Sequence, residues 1–321
     1  MRRRLLLGST VAVALSPDNV RAQQLRTIGI LSWFDGPEDN ASRFGRFVQE
    51  LRRLGYEDGR TIHFDFRFAA GSTTKAKQFA EGLVQSKVDL IVAIPTPAAL
   101  AAKAATTEIP IVFFSADPET SGLVTNLRRP GGNLTGASSL AVDIAAKRVE
   151  LLRDTIPDLR RIAFLAASQD FNAKMFVEPT ERASRSLGID FKLLMADGAG
   201  DLNTAFAEAA RLGVQALLVQ PLFLANRVEL AALGRRYRLP LVCDSRPFAE
   251  AGCPVSYGAS QEGLYVQMAR YVDRILKGAK PGELPVQQAT EFELILNRRA
   301  ANSTGLALPP AALARADEVI E

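Results

Sequence analysis

Apolar, strand-like runs alternate with helical stretches along this chain, and the alternation restarts past the middle. Residues 27–31, 61–68, 89–94 and 109–114 make a first series of strands; 161–166, 190–195, 216–219 and 239–243 make a second. Strand, helix, strand in that rhythm predicts parallel sheets covered on both faces. Two such series predict two α/β lobes, and a cleft between lobes is a place to hold a small molecule.

The first residues predict export. Arg2, Arg3 and Arg4 precede a short apolar core, 5–15, and Val20-Arg21-Ala22 offers small residues before a cut that leaves Gln23 first. That order is a secretory signal peptide over residues 1–22, too short to span a bilayer, and it predicts a periplasmic protein. The adjacent arginines and Gly8-Ser9-Thr10 leave twin-arginine export open beside the general route. Residues 1–22 also carry four arginines and one aspartate, so removing them lowers the formal charge from +4 to +1. A near-neutral mature chain gives no reason to expect nucleic acid or an anionic membrane as partner.

Catalytic and metal motifs are sparse. His63 is the single histidine; it falls in an alternating run, on the polar side of an edge strand, without a partner at ligand spacing. No nucleophile elbow, P-loop or dinucleotide fingerprint occurs. Arg129-Pro130-Gly131-Gly132-Asn133 reads as a turn. Asp117, Asp170 and Asp244 are carboxylates with no local mechanism around them. The chain is therefore read as a binding protein without cofactor or metal, and an exported hydrolase is the weaker reading.

Polar residues do cluster after the strands, where open α/β sheets bind ligands. Ser32-Trp33-Phe34-Asp35 follows the first strand and Ser115-Ala116-Asp117-Pro118 the fourth. Thr96-Pro97-Ala98-Ala99 follows the third; with Thr96 as N-cap and Pro97 first in the helix, the amides of Ala98 and Ala99 would seat a carboxylate, or the cap is only a cap. Asp117 could receive an ammonium or cap the next turn. The second series offers Gln169-Asp170-Phe171-Asn172, Gln220-Pro221-Leu222-Phe223 and Asp244-Ser245-Arg246, and Trp33 and Phe223 could stack on a ligand. Cys243 and Cys253 lie ten residues apart; in an oxidising compartment they close a small loop, or they stay two buried thiols.

Several segments together resemble the ABC transporter substrate-binding proteins that include tryptophan- and tyrosine-binding members: LRRLGYEDGRTIHFDFRFA, TPAALAAKAATTEIPIVFFSADPETSGLV, NLRRPGGNLTG, AKRVELLRDTIPDLRRIAFL, SYGAS, RILKGAKPGELPVQQATEFELILN and LARADEVIE. The resemblance implies a type I periplasmic-binding-protein fold, two doubly wound Rossmann-like lobes joined by a three-crossing hinge near 135–139, 256–260 and 287–291. Lobe one is then 26–137 plus 258–288, and lobe two 138–257 plus 289–321. It further implies a monomer that closes on a small organic ligand, an aromatic amino acid or a carboxylate, and delivers it to an ABC permease. A receptor of the same fold that signals to a membrane partner is the alternative. Carried over by position, Thr96, Asp117, Asn172 and Tyr257 are the leading binding residues. Ser32, Trp33, Ala98 and Asp244 complete the expected set. Trp33-Phe34, Gln169-Asp170-Phe171 and the two cysteines depart from the family pattern, and the paired cysteines tilt that open alternative toward a disulfide.

Overall fold

The computed structural model describes residues 25–34, 37–156 and 158–321; the expected signal peptide and Asp35 lie outside them. Strands β1 (Arg26–Ser32), β2 (Ile62–Phe68), β3 (Leu90–Ile94), β4 (Ile111–Ser115) and β5 (Leu134–Ser138) are interleaved with helices α1 (Pro37–Arg53), α2 (Thr73–Gln85) and α3 (Thr96–Ala105). The rhythm restarts with α4 (Ala145–Thr155), β6 (Arg161–Ala167), α5 (Lys174–Ser186), β7 (Asp190–Ala196), α6 (Ala199–Arg211) and β8 (Ala216–Val219). It continues through α7 (Arg227–Tyr237), β9 (Leu241–Cys243), α8 (Arg246–Ala251) and β10 (Val255–Ala259). The chain ends with α9 (Gln261–Leu276), β11 (Gln287–Gln288), β12 (Phe292–Asn297), α10 (Arg298–Thr304), α11 (Pro310–Arg315) and β13 (Glu318–Ile320).

One sheet runs β11-β5-β4-β3-β1-β2 and is parallel throughout; the other runs β13-β12-β10-β9-β8-β6-β7, with β10 and β12 antiparallel. Counted within each lobe, both sheets place their first five strands in the order two, one, three, four, five. This is the doubly wound topology, with its switch point beside the first strand of each half. Full burial explains the composition: β3 (LIVAI) and β4 (IVFFS) are buried at every position, as central parallel strands under helices on both faces must be. In the second sheet Ile162, Phe164, Leu218 and Val242 pack on one face while Ala163, Leu165, Leu217 and Leu241 pack on the other. The edge strand β2 alternates instead, burying Ile62 and Phe64 and exposing His63, the polar-face position its pattern predicts.

Two strands start later than their apolar runs suggest. β4 and β9 begin after Pro110 and Pro240, which have no N–H for the ladder but whose carbonyls accept from Ile91 N (2.8 Å) and Leu217 N (2.9 Å). Two central strands, β5 and β10, escape the apolar pattern because their sequences, LTGAS and VSYGA, are small and polar. Their glycines fit where a neighbouring backbone presses in. A Cβ on Gly136 would lie 2.0 Å from the Phe113 carbonyl oxygen, and one on Gly258 would lie 1.6 Å from that of Asp244.

The chain passes between sheets three times: after β5, after β10, and between β11 and β12. Ala289 N donates to Ser138 O (2.9 Å) and Ser260 N to Glu291 O (3.0 Å), so the third crossing is tied to each of the others. After the second crossing α9 packs on α1 of the first lobe. There Glu50 accepts from Arg270 (3.0 Å) and Tyr56 donates to Asp273 (3.0 Å). Two arginines on the buried Glu50 hold its carboxyl at about 2, Arg53 contributing most.

Candidate ligand-binding site

The carboxyl ends of both sheets face one cavity. From the first lobe come Phe34 after β1, Ile94 to Pro97 at the β3–α3 junction, Phe114 and Ala116 around the end of β4, and Ser139 after β5. From the second come Asp170, Asn172, Met175 and Phe176 after β6, Pro221, Leu222 and Leu224 after β8, and Asp244 and Ser245 after β9. Gln261 and Tyr265 reach in from α9.

Each polar group is held by its neighbours. Thr96 Oγ1 lies 2.9 Å from Ser115 Oγ and accepts from Ala116 N (3.3 Å), which fixes the floor on the first lobe. Across the cavity, Asp170 accepts from Gln220 Nε2 (2.6 Å) and from Asn172 N (3.0 Å), while Gln220 accepts from Ala167 N (2.7 Å). Burial raises the Asp170 carboxyl above its ordinary range despite those donors. Asp244, buried and hydrogen-bonded by Ser245 Oγ (3.3 Å), is also pushed up by burial, and the Arg148 charge opposes that rise.

Arg148 is the unusual member. Its guanidinium is buried, donating from Nε to Tyr257 O (2.9 Å) and from Nη1 to Ala141 O (3.3 Å), and Nη2 has no hydrogen-bond partner. It therefore grips β10 just before the second crossing and the chain just after the first, beside the cavity carboxylate. Among the described residues no lysine, arginine or histidine lines the cavity itself, so the carboxylates of Asp170 and Asp244 face it without a cation in that lining. The walls are apolar and aromatic; Phe114 and Tyr265 stack with ring centroids 5.5 Å apart and planes 6° apart.

Of the residues expected from sequence, Thr96, Asn172 and Asp244 meet at this cavity. Trp33 lines an adjoining pocket with Phe34, Gln169 and Phe223. The other four lie outside the lining. Ser32 is fully buried and its Oγ accepts from Phe34 N (3.2 Å), shaping the turn after β1. Ala98 is fully buried because α3 begins at Thr96, one residue earlier than a Thr96 cap implies; Pro95 is the N-cap and its carbonyl takes the Ala99 amide (3.1 Å). Asp117 caps the following turn, accepting from Glu119 N (3.1 Å) and Thr120 N (3.0 Å). Tyr257 packs its ring on Phe292, at 6.2 Å, and its carbonyl on Arg148.

Phe114, Gln261 and Tyr265 were not among the expected contacts, and Phe34 and Asp170 stand in runs offered after the strands but outside the expected set. Gln261 and Tyr265 follow directly from the second crossing, since the first turns of the helix after it must face the cleft.

Among the described residues no helix is long and apolar enough to cross a membrane, and no group of three or more His, Cys, Asp or Glu side chains is placed to hold a metal ion. The pattern of the ABC transporter substrate-binding proteins matches residues 27–320. A tyrosine-binding protein of Clostridioides difficile (strain R20291) is 26% identical over 279 residues, covering 86% of this chain and 80% of that one. The crystal structure of an ABC domain in complex with L-Trp from Streptococcus pneumonia superposes with a TM-score of 0.83 at 25% identity, covering 92% of this chain and 100% of that one. The ligand-free, open structure of a substrate-binding protein with adhesive properties from Clostridium difficile, also 25% identical and covering 92% and 99%, gives 0.64. At equal identity the lobes match the ligand-bound arrangement better than the open one. The chain belongs to the ABC transporter substrate-binding protein family.

Proposed function

We propose that this protein is the exported solute receptor of an ABC importer, closing its lobes over an amino acid with an aromatic or large apolar side chain and presenting it to a membrane permease. One observation carries the reading: a cavity between the lobes with apolar, aromatic walls and two carboxylates, Asp170 and Asp244, with no cation among the described residues of its lining. Two carboxylates favour a ligand ammonium over an anion. The Thr96 hydroxyl at the start of α3, held 2.9 Å from Ser115 Oγ at the end of β4, suits the ligand's own carboxylate. The ligand spans both lobes, so its binding energy is spent on the closed state, and the lobes turn as units about the three crossings. The L-Trp complex and the tyrosine-binding relative support the same ligand class.

The test is a thermal-shift and calorimetry series on residues 23–321 with L-tryptophan, L-tyrosine, tryptamine and indole-3-propionate. A ligand present at a hundred times its dissociation constant adds about 2.7 kcal/mol of stability. Saturable shifts with the amino acids, weaker ones with tryptamine and none with the amine-free acid are the expected order. An equal or larger shift with indole-3-propionate would sink the ammonium argument. A shift that decays as ligand is consumed would point to an enzyme instead.

A further inference from the structure

Cys243 ends β9 and Cys253 stands two residues before β10, both buried, with their Sγ atoms 2.6 Å apart. Ser256 pairs with Cys243 across the β9–β10 ladder, so the chain between the cysteines leaves one strand and returns to its neighbour. That excursion begins with Asp244 and Ser245 of the cavity wall, runs through α8, and turns back at Gly252 with φ of 109°. Phe248, fully buried, and Leu241 belong to the same core as the two sulfurs. Nothing in the ligand reading uses either thiol.

We infer that Cys243 and Cys253 form a disulfide that staples segment 244–252 to the second sheet and holds Asp244 and Ser245 in the cavity wall. The bond forms by thiol–disulfide exchange with a disulfide-bearing oxidant, either glutathione disulfide or the disulfide of an oxidase protein. One cysteine thiolate attacks an oxidant sulfur to give a mixed disulfide; the second thiolate attacks the protein sulfur of that bond and displaces the oxidant. Both thiol protons are released, the Sγ–Sγ bond forms, and the oxidant's sulfurs take up the two electrons and leave as thiols. Burial dictates when this happens. In the folded protein the Cys243 thiol is pushed well up, by burial first and by Cys253 next, so thiolate is scarce there. Exchange therefore belongs to the folding chain, and the finished bond is shielded from reductants.

The bond itself rests on the two sulfurs alone; its role in the cavity wall rests on the reading of the site given above. The experiment refolds the denatured, reduced chain in a glutathione/glutathione-disulfide buffer or under a strong reductant, then alkylates each product in denaturant and weighs it. The oxidised product is expected to be two hydrogens lighter and to take no alkyl group, and the reduced product to take two. Two alkyl groups on the oxidised product overturn the disulfide. Hydrogen exchange on both products then reads the staple without any ligand: amides of 244–252 are expected to exchange about tenfold faster in the reduced form. Equal exchange overturns the staple. The C243A/C253A double variant, checked for fold by circular dichroism, is expected to exchange like the reduced form, and exchange matching the oxidised form overturns the staple equally. If bond and protection are both found and L-tryptophan binds neither product, the staple stands and the ligand reading falls.

Discussion

Gly258→Ala tests the link between strand packing and the ligand wall. The added Cβ would sit 1.6 Å from the Asp244 carbonyl oxygen and 2.7 Å from its carbonyl carbon, whereas real Cβ contacts do not fall under 3.0 Å. Backbone must therefore move by about 1.4 Å at this contact, and no flexible side chain is there to yield. The paired residues Val255–Val242 and Ser256–Cys243 lie just before it, so the strain splays the carboxyl ends of β9 and β10. Overpacking of this kind costs about 1–3 kcal/mol of stability. It also carries Asp244 and Ser245 away from the cavity. Losing one charge-assisted hydrogen bond of about 1.5–3 kcal/mol weakens binding roughly ten- to hundredfold. Urea unfolding measures the first quantity and calorimetry with L-tryptophan the second. Gly82→Ala is the control: Gly82 lies inside α2 with open space around its Cβ position, so alanine is expected to stabilise by about 0.5–1 kcal/mol. If Gly258→Ala unfolds and binds like the parent protein, the close approach of β10 to Asp244 does not shape the site.

Arg148→Met removes the donors to the Tyr257 and Ala141 carbonyls in a buried place; urea unfolding is expected to show a loss of about 2 kcal/mol or more. The same variant leaves Asp244 without the charge that opposes its desolvation, so amine ligands are expected to need a higher pH for full binding than they do with the parent, as calorimetry across pH would show. Asp244→Asn is expected to weaken L-tryptophan without affecting acids that lack an amine. In the parent, affinity falls as pH drops through the raised carboxyl pKa, earlier than for an ordinary aspartate, and the Asn variant should lack that part of the slope. Glu50→Gln removes a carboxylate held at about 2 against an ordinary 4.5. Because the folded value is the lower one, the stability it contributes is fully present above about pH 4.5 and is lost as pH falls through about 2. The Tm gap between parent and variant should close over that range.

How much of this was readable in advance depended on where burial leaves a mark. Strands such as β3 and β4 are apolar at every position because both faces are covered, and the sequence shows them directly. The strands β5 and β10 are as deeply placed, yet their cores are backbone against backbone, and close approach selects glycine, serine and alanine, which read as loop. The same contrast governs the site. Thr96, Asn172 and Asp244 sit at the carboxyl ends of strands, a position that topology alone picks out. Ser32 and Ala98 share that position, but their side chains turn into the protein, which depends on a single residue of register at the start of a helix or turn. Tyr265 is invisible to that rule, because α9 lies far along the chain and joins the cavity only by crossing back to the first lobe.

That return has a consequence for how the molecule is made. The first lobe's sheet is completed by β11, its α1 packs on α9, and the second lobe's sheet closes only with β12 and β13. A growing chain that has reached residue 260 thus holds neither lobe whole: the first still lacks α9 and β11, and the second ends in an unpaired edge at β10. The sheets are completed only at β11 and at β13, so folding of both halves waits for residues far along the chain and then settles them almost together. Chains cut short anywhere before the final strands are left with open sheet edges, the form most prone to aggregate and be degraded.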